Sequence, residues 1–116
     1  MFDFEKLDVY QEMRSANGKV LKLLFSSKSI DPYLVDQFKR ASLGALLNLS
    51  EGTGRMTNAD KKRFYVSARA SIFETTAIIQ VLKDLHMIED NLYQELYDNY
   101  EKISRMLLGM IRSQED

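Results

Sequence analysis

Cysteine is absent, which removes disulfides and thiolate metal sites together. The single histidine, His86, cannot build a metal site without several carboxylates beside it, so no metal or cofactor is expected. Proline occurs once, at Pro32, and there is no Asn-Gly hairpin and no sustained polar–apolar alternation. Strand signals are therefore missing. No apolar run approaches the ~20 residues needed to cross a bilayer. The start, Met1-Phe2-Asp3-Phe4-Glu5, has neither the basic opening nor the apolar core of a signal peptide. The expectation is a cytoplasmic protein with no membrane partner. Gly52-Thr53-Gly54-Arg55 invites a phosphate-binding reading. It lacks the length and the Lys-Ser/Thr ending of a P-loop, and reads instead as a helix stop. No small-molecule substrate is inferred.

What is present fits one globular domain. At 116 residues the chain can bury roughly two thirds of its unfolded surface. Apolar residues make up 45% and charged residues 28%. The formal net charge of −1 conceals an uneven distribution. Residues 1–36 are net −1 and residues 37–69 are net +5; residues 70–83 balance, and residues 84–116 are net −5.

Punctuation falls in three places. Asp31-Pro32 is an N-cap followed by proline at the first helical position. Gly52-Thr53-Gly54 ends a helix, and Thr57 or Asn58 caps the next. Asp90 or Asn91 starts the last, with Gln94 as a capping-box partner for Asn91. The pattern predicts an all-α, antiparallel up-and-down four-helix bundle, with helices near 8–26, 32–52, 58–86 and 91–113. The first repeats apolar residues at Leu7, Tyr10, Met13, Val20, Leu21 and Leu24, weakened by Gly18. The last repeats them at Leu92, Leu96, Tyr100, Ile103, Leu107 and Met110.

The middle helices carry more apolar surface than one bundle needs. At about 100° per residue, Phe64, Tyr65, Ala68, Ile72, Thr75, Ile79 and Leu82 share one face of the third helix. Val66, Ala70, Phe73, Ala77 and Val81 form a second stripe opposite. On the second helix, Leu34, Val35, Phe38, Ala45 and Leu49 form a stripe that Leu43, Leu46 and Leu47 widen. An exposed stripe of this length calls for a cover. The expected oligomer interface is Leu43, Leu47, Val66, Phe73, Ala77 and Val81. Cyclic repetition of one heterologous contact would give a ring-shaped homo-oligomer.

The polar residues of the same helices also align. Gln37, Arg40, Gly44, Asn48, Glu51 and Arg55 lie within about 80° of one another, and Asp60, Ser67, Ser71 and Glu74 form a matching lane. A fold-back near Met56 would set Gly44 opposite Ala68 and Glu51 opposite Lys61. It would make neighbours of Arg40 and Glu74, and of Arg55 and Asp60. No nucleophile–base pair with histidine is present. Gln37, Arg40, Asn48, Glu51, Ser71 and Glu74 thus read as a hydrogen-bonded seam fixing register, with Arg40–Glu74 a buried or half-buried ion pair.

Several of these residues carry a resemblance. Gln37-Phe38-Lys39-Arg40-Ala41, Asn48-Leu49-Ser50-Glu51-Gly52-Thr53-Gly54-Arg55, then Phe64, Ala68, Ser71 and Glu74, resemble the four-helix bundle family first noticed in intervening sequences of bacterial 23S rRNA genes. Phe4-Glu5-Lys6-Leu7-Asp8-Val9-Tyr10-Gln11 resembles that family's opening. Ala70 stands where the family usually has glycine. The resemblance implies a left-handed bundle assembled into a ring-shaped homopentamer, with no enzyme activity. The chain is also similar, more distantly, to the accessory proteins of diversity-generating retroelements, which are pentameric and bind nucleic acid.

Two functions compete. Arg55, Lys61, Lys62 and Arg63 gather around the start of the third helix, where cations oppose the helix dipole. In a ring they would form a basic belt for RNA or DNA. The alternative is an acidic protein-interaction scaffold without nucleic-acid binding, in keeping with a pI of 5.9. An enzyme is not expected.

Overall fold

The computed structural model describes residues 1–115 and contains four helices: α1 (Asp8–Ser26), α2 (Pro32–Thr53), α3 (Asn58–Asp84) and α4 (Asp90–Ser113). One 3-10 turn, Asp3–Lys6, precedes them. No strand occurs among the described residues. The bundle measures 47 × 23 × 21 Å, a length set by α3, whose 27 residues rise roughly 40 Å.

Local chemistry fixes most helix ends. The Asp31 carboxylate accepts from the Tyr33 amide at 2.7 Å, and Pro32 needs no partner at the first helical position. The Thr57 hydroxyl accepts from the Asp60 amide at 3.2 Å and starts α3. Two ends differ from expectation. α3 stops at Asp84 rather than 86, because His86 turns left-handed (φ 57°). The Met87 amide then donates to the Leu82 carbonyl at 2.9 Å and the His86 amide to that of Lys83 at 3.0 Å, a Schellman closure. α4 starts at Asp90 behind Glu89 with no side-chain cap. The expected Asn91–Gln94 capping box is not formed, because the helix starts earlier and Asn91 already lies inside it; Gln94 donates instead to Asp98 one turn ahead at 3.0 Å.

The Gly52-Thr53-Gly54 stop ends α2 as expected, with Gly54 as the C-cap, and Gly52 is a packing residue as well. It lies inside the last turn of α2, buried, and a Cβ there would stand 2.7 Å from Tyr65 Cε1 and 3.0 Å from Phe64 Cβ. α2 ends at Thr53, one residue beyond the expected bound, and no glycine among the described residues adopts positive φ.

Side-chain pairs show that neighbouring helices are antiparallel. Lys19 meets Glu95 and Lys102 meets Glu12, so α1 and α4 run oppositely. Lys61 meets Thr53 while Gly44 faces Ser71 across α2 and α3. Arg69 meets Ser104 and Lys62 meets Glu115 across α3 and α4. Consecutive helices pack on each other, and α1 and α4 close the square.

The core takes one stripe from each helix. Met13 and Val20 of α1 meet Phe38, Ala45 and Leu49 of α2, Ile72, Ile79 and Leu82 of α3, and Leu96, Ile103 and Leu107 of α4. All are fully or nearly fully removed from water, each contributing roughly 1.5–3 kcal/mol where a large side chain is involved. One polar cluster sits among them. The Tyr100 hydroxyl donates to Asn17 Oδ1 at 2.9 Å, and Asn17 Nδ2 donates to the Ser42 carbonyl at 3.0 Å. This ties three helices at one level and leaves no buried side-chain polar atom unpartnered among the described residues.

Candidate interaction surfaces

The second apolar stripe of α3 faces water in the single chain. Phe73 is 55% exposed, and Val66, Ala70, Ala77 and Val81 are exposed with it. The inner stripe, from Tyr65 through Ala68, Ile72, Thr75 and Ile79 to Leu82, is buried. On α2, Leu47 is 61% exposed and Leu43 also lies open. Both project away from Ala45 and Leu49, as a spacing of two residues on a helix demands.

These residues do not form one face. Phe73 and Ala77 border a groove between α3 and α4, with Tyr97, Glu101 and Ser104 opposite, Ile72 and Tyr100 at its floor and a volume of ≈ 320 Å³. Arg69 closes one end. Its guanidinium lies 4.8 Å from the centre of the Phe73 ring, and its Nε donates to the Ser104 carbonyl at 3.3 Å. Leu43 and Leu47 stand on the far side of the bundle. Lys39, one turn before Leu43, reaches the Phe25 ring of α1, and Gly44 turns toward Ser71 of α3. The outward corner between those two directions belongs to Leu43 and Leu47. The chain thus has an apolar ridge on α2 and an apolar groove at α3–α4.

The polar lane differs from expectation in its pairing. Arg40 and Glu74 form no ion pair. Arg40 Nε donates instead to Asp36, one turn back on α2, at 3.1 Å, with the arginine side chain 76% exposed. Glu74 is exposed and has no ion pair among the described residues. Arg55 does not reach Asp60. It holds Glu51 at 2.6 Å, while Asp60 takes Arg63 at 3.5 Å. Lys61 meets the Thr53 carbonyl at 2.9 Å rather than Glu51. The three ion pairs share a physical reason: an opposite charge three or four residues away along the chain is reached without crossing between helices; Lys61 instead crosses to an unpaired carbonyl at the end of α2. Gln37, Asn48 and Ser71 are half-buried between α2 and α3, and Gly44 packs on Ser71 rather than on Ala68.

The four cations do gather at one end of the bundle, but each is engaged. Arg55 and Arg63 both lie against Phe64, their guanidinium carbons 4.5 and 4.9 Å from its ring centre. Lys61 caps the carbonyl end of α2, and Lys62 meets Glu115 at 3.3 Å. Four cations thus stand beside Glu51, Asp60 and Glu115, and the local excess of positive charge is small. Among the described residues, no three carboxylate or histidine side chains converge as a metal site would require. No helix there is long and apolar enough to cross a membrane. Burial raises the phenol pKa of Tyr65 and, more strongly, of Tyr100.

Two features escaped sequence reasoning. The groove needs Tyr97, Glu101 and Ser104 from α4, whose pattern reads as ordinary amphipathic. Asn17 lies in the buried row of α1, where its period with Met13 and Val20 was a usable signal.

A family model described as 23S rRNA-intervening sequence protein matches residues 5–109. No curated protein matches the sequence. Among solved structures, the chain resembles a protein of unknown function from the S23 ribosomal protein family of Bacteroides thetaiotaomicron. The TM-score is 0.80 at 17% identity, over 89% of this chain and 97% of that one. At that identity the likeness is one of fold.

Proposed function

The chain belongs to the family of 23S rRNA-intervening sequence proteins, and from that premise we propose that it acts as a non-enzymatic bundle that works through self-association. One observation carries this reading. Leu43 and Leu47 on one side, and Val66, Phe73 and Val81 on another, are large apolar side chains left exposed by a chain whose core is otherwise complete. Apolar ridges and grooves on opposite sides favour a heterologous contact, and repetition of such a contact gives a ring when its rotation closes. The ring expected here is a homopentamer. Light scattering at micromolar concentration tests it: a mass five times 13.5 kDa is expected, and a monomer rejects the reading.

RNA or DNA binding by the ring is a second reading, supported by Arg55, Lys61, Lys62 and Arg63 meeting at one end of the bundle around Phe64. The carboxylates beside three of them count against it. If the assembled protein binds neither RNA nor DNA at low salt, a protein-interaction scaffold is the better description.

A further inference from the structure

We propose that the α2 ridge formed by Arg40, Leu43 and Leu47 of one copy seats in the α3–α4 groove of the next, with Arg40 beside Asp98 and Glu101. The assignment rests on the self-association reading and adds to it which surface meets which.

The first support is shape. The groove is walled by Phe73 and Ala77 on one side and Tyr97 on the other, and its open volume of ≈ 320 Å³ is lined mainly by apolar atoms. Leu43 and Leu47, successive turns of one helix, present two apolar knobs on the side of the molecule away from it. Ridge and groove are therefore free to be used at once, one by each neighbour.

The second support is height along the bundle. Gly44 lies at the level of Ser71, and Lys61 at that of Thr53. Arg69 lies at the level of Ser104. Counting from these pairs puts Leu43 level with Phe73, and Arg40 level with the Asp98–Glu101 turn of α4. A symmetry axis parallel to the bundle leaves heights unchanged. The ridge of a neighbour then brings Leu43 to Phe73 and Arg40 to the two carboxylates.

The third support is charge. Arg40 is the cation on the ridge, and its side chain is 76% exposed, held only by a surface pair with Asp36. The outer side of α4 at that height carries Asp98, which has no ion pair among the described residues, and Glu101, held only by an exposed pair with Arg105 at 2.9 Å. Ridge on ridge would set Arg40 against Arg40, and groove on groove would set acid against acid. Like charges facing each other disfavour both arrangements.

Two experiments on the full chain test the assignment. The chain has no cysteine, so introduced cysteines cross-link without background. Leu47→Cys is mixed with Val66→Cys or Ala70→Cys, the two positions nearest its own height, and oxidised, which traps residues whose Cα atoms lie within about 7 Å. A mixed dimer with at least one of the two is expected, and no dimer from Leu47→Cys alone. In parallel, Arg40→Glu is expected to lose the assembly while keeping its helical circular dichroism. Combining it with Glu101→Arg in the same chain, so that every contact carries the swapped pair, is expected to restore the assembly. Wild-type protein that is monomeric overturns the self-association reading and this assignment with it. Assembled wild type in which Leu47→Cys cross-links only to itself, or which Arg40→Glu leaves intact, overturns this assignment alone.

Discussion

The hydroxyl of Tyr100 and the side-chain oxygen of Asn17 meet at 2.9 Å in the middle of the apolar core, both side chains almost entirely removed from water. Removing the donor alone, by Tyr100→Phe, strands a buried acceptor. The expected loss is about 1–3 kcal/mol, read from the midpoint of urea unfolding. Asn17→Leu is expected to cost at least as much, since the Ser42 carbonyl also loses its donor. An unchanged midpoint in both variants would remove the cluster from the account of stability.

Burial of Tyr100 and Tyr65 raises both phenol pKa values above the unfolded value of about 10. The folded state then holds protons that the unfolded state releases. Stability from this source is fully present below pH ~10 and is lost as pH rises beyond it, by up to about 1.4 kcal/mol per pH unit for each group. Tyr100→Phe is expected to flatten the alkaline limb of stability against pH. A wild-type profile with no decline above pH 10 would contradict the burial of both phenols.

Two glycines should respond oppositely to alanine. At Gly52 the added Cβ would stand 2.7 Å from the Tyr65 ring, and overpacking is expected to cost about 1–3 kcal/mol. At Gly18, inside α1, nothing lies within 4 Å of the new atom, and a gain of up to ~1 kcal/mol is expected. Thermal unfolding of the two variants side by side decides the matter. A tolerated Gly52→Ala would mean that α2 and α3 can separate without loss.

Replacing Lys61, Lys62 and Arg63 together by glutamine tests the nucleic-acid reading. If phosphate contacts form there, binding to RNA or DNA weakens and its salt dependence becomes shallower. Equal binding by wild type and variant, or none by either, leaves the scaffold description in place. Helical content should be retained, because Lys61 and its neighbours stabilise only the end of a helix.

The helices were legible because each buries a single stripe at helical spacing and because Asp31-Pro32 and Thr57 announce their starts. The twofold apolar character of α3 was legible for the same reason: Val66, Phe73 and Val81 fall opposite Ile72 and Ile79. The pairing of charges was not. Wheel position tells which side Arg40 faces, but Asp36 lies one turn away on that same side and meets it first. The helix stop at Gly52-Thr53-Gly54 was legible, but the packing role of Gly52 was not, because only the Tyr65 ring across from it creates the close contact. The groove depends on how α3 and α4 rotate against each other, which no single helix records.

The closing of α1 onto α4 has a kinetic meaning. Thr53 and Lys61, eight residues apart, join α2 to α3, whereas Asn17 and Tyr100 are separated by 83. A roughly tenfold longer loop costs about 2 kcal/mol more to close. The seam between first and last helices is thus the one most dependent on its own cross-links, and it holds the Tyr100–Asn17 bond and the Lys19–Glu95 and Lys102–Glu12 pairs. In native-state amide exchange, opening should begin along that seam and leave the α2–α3 hairpin protected longest; uniform protection across all four helices would show instead that the bundle opens as one unit.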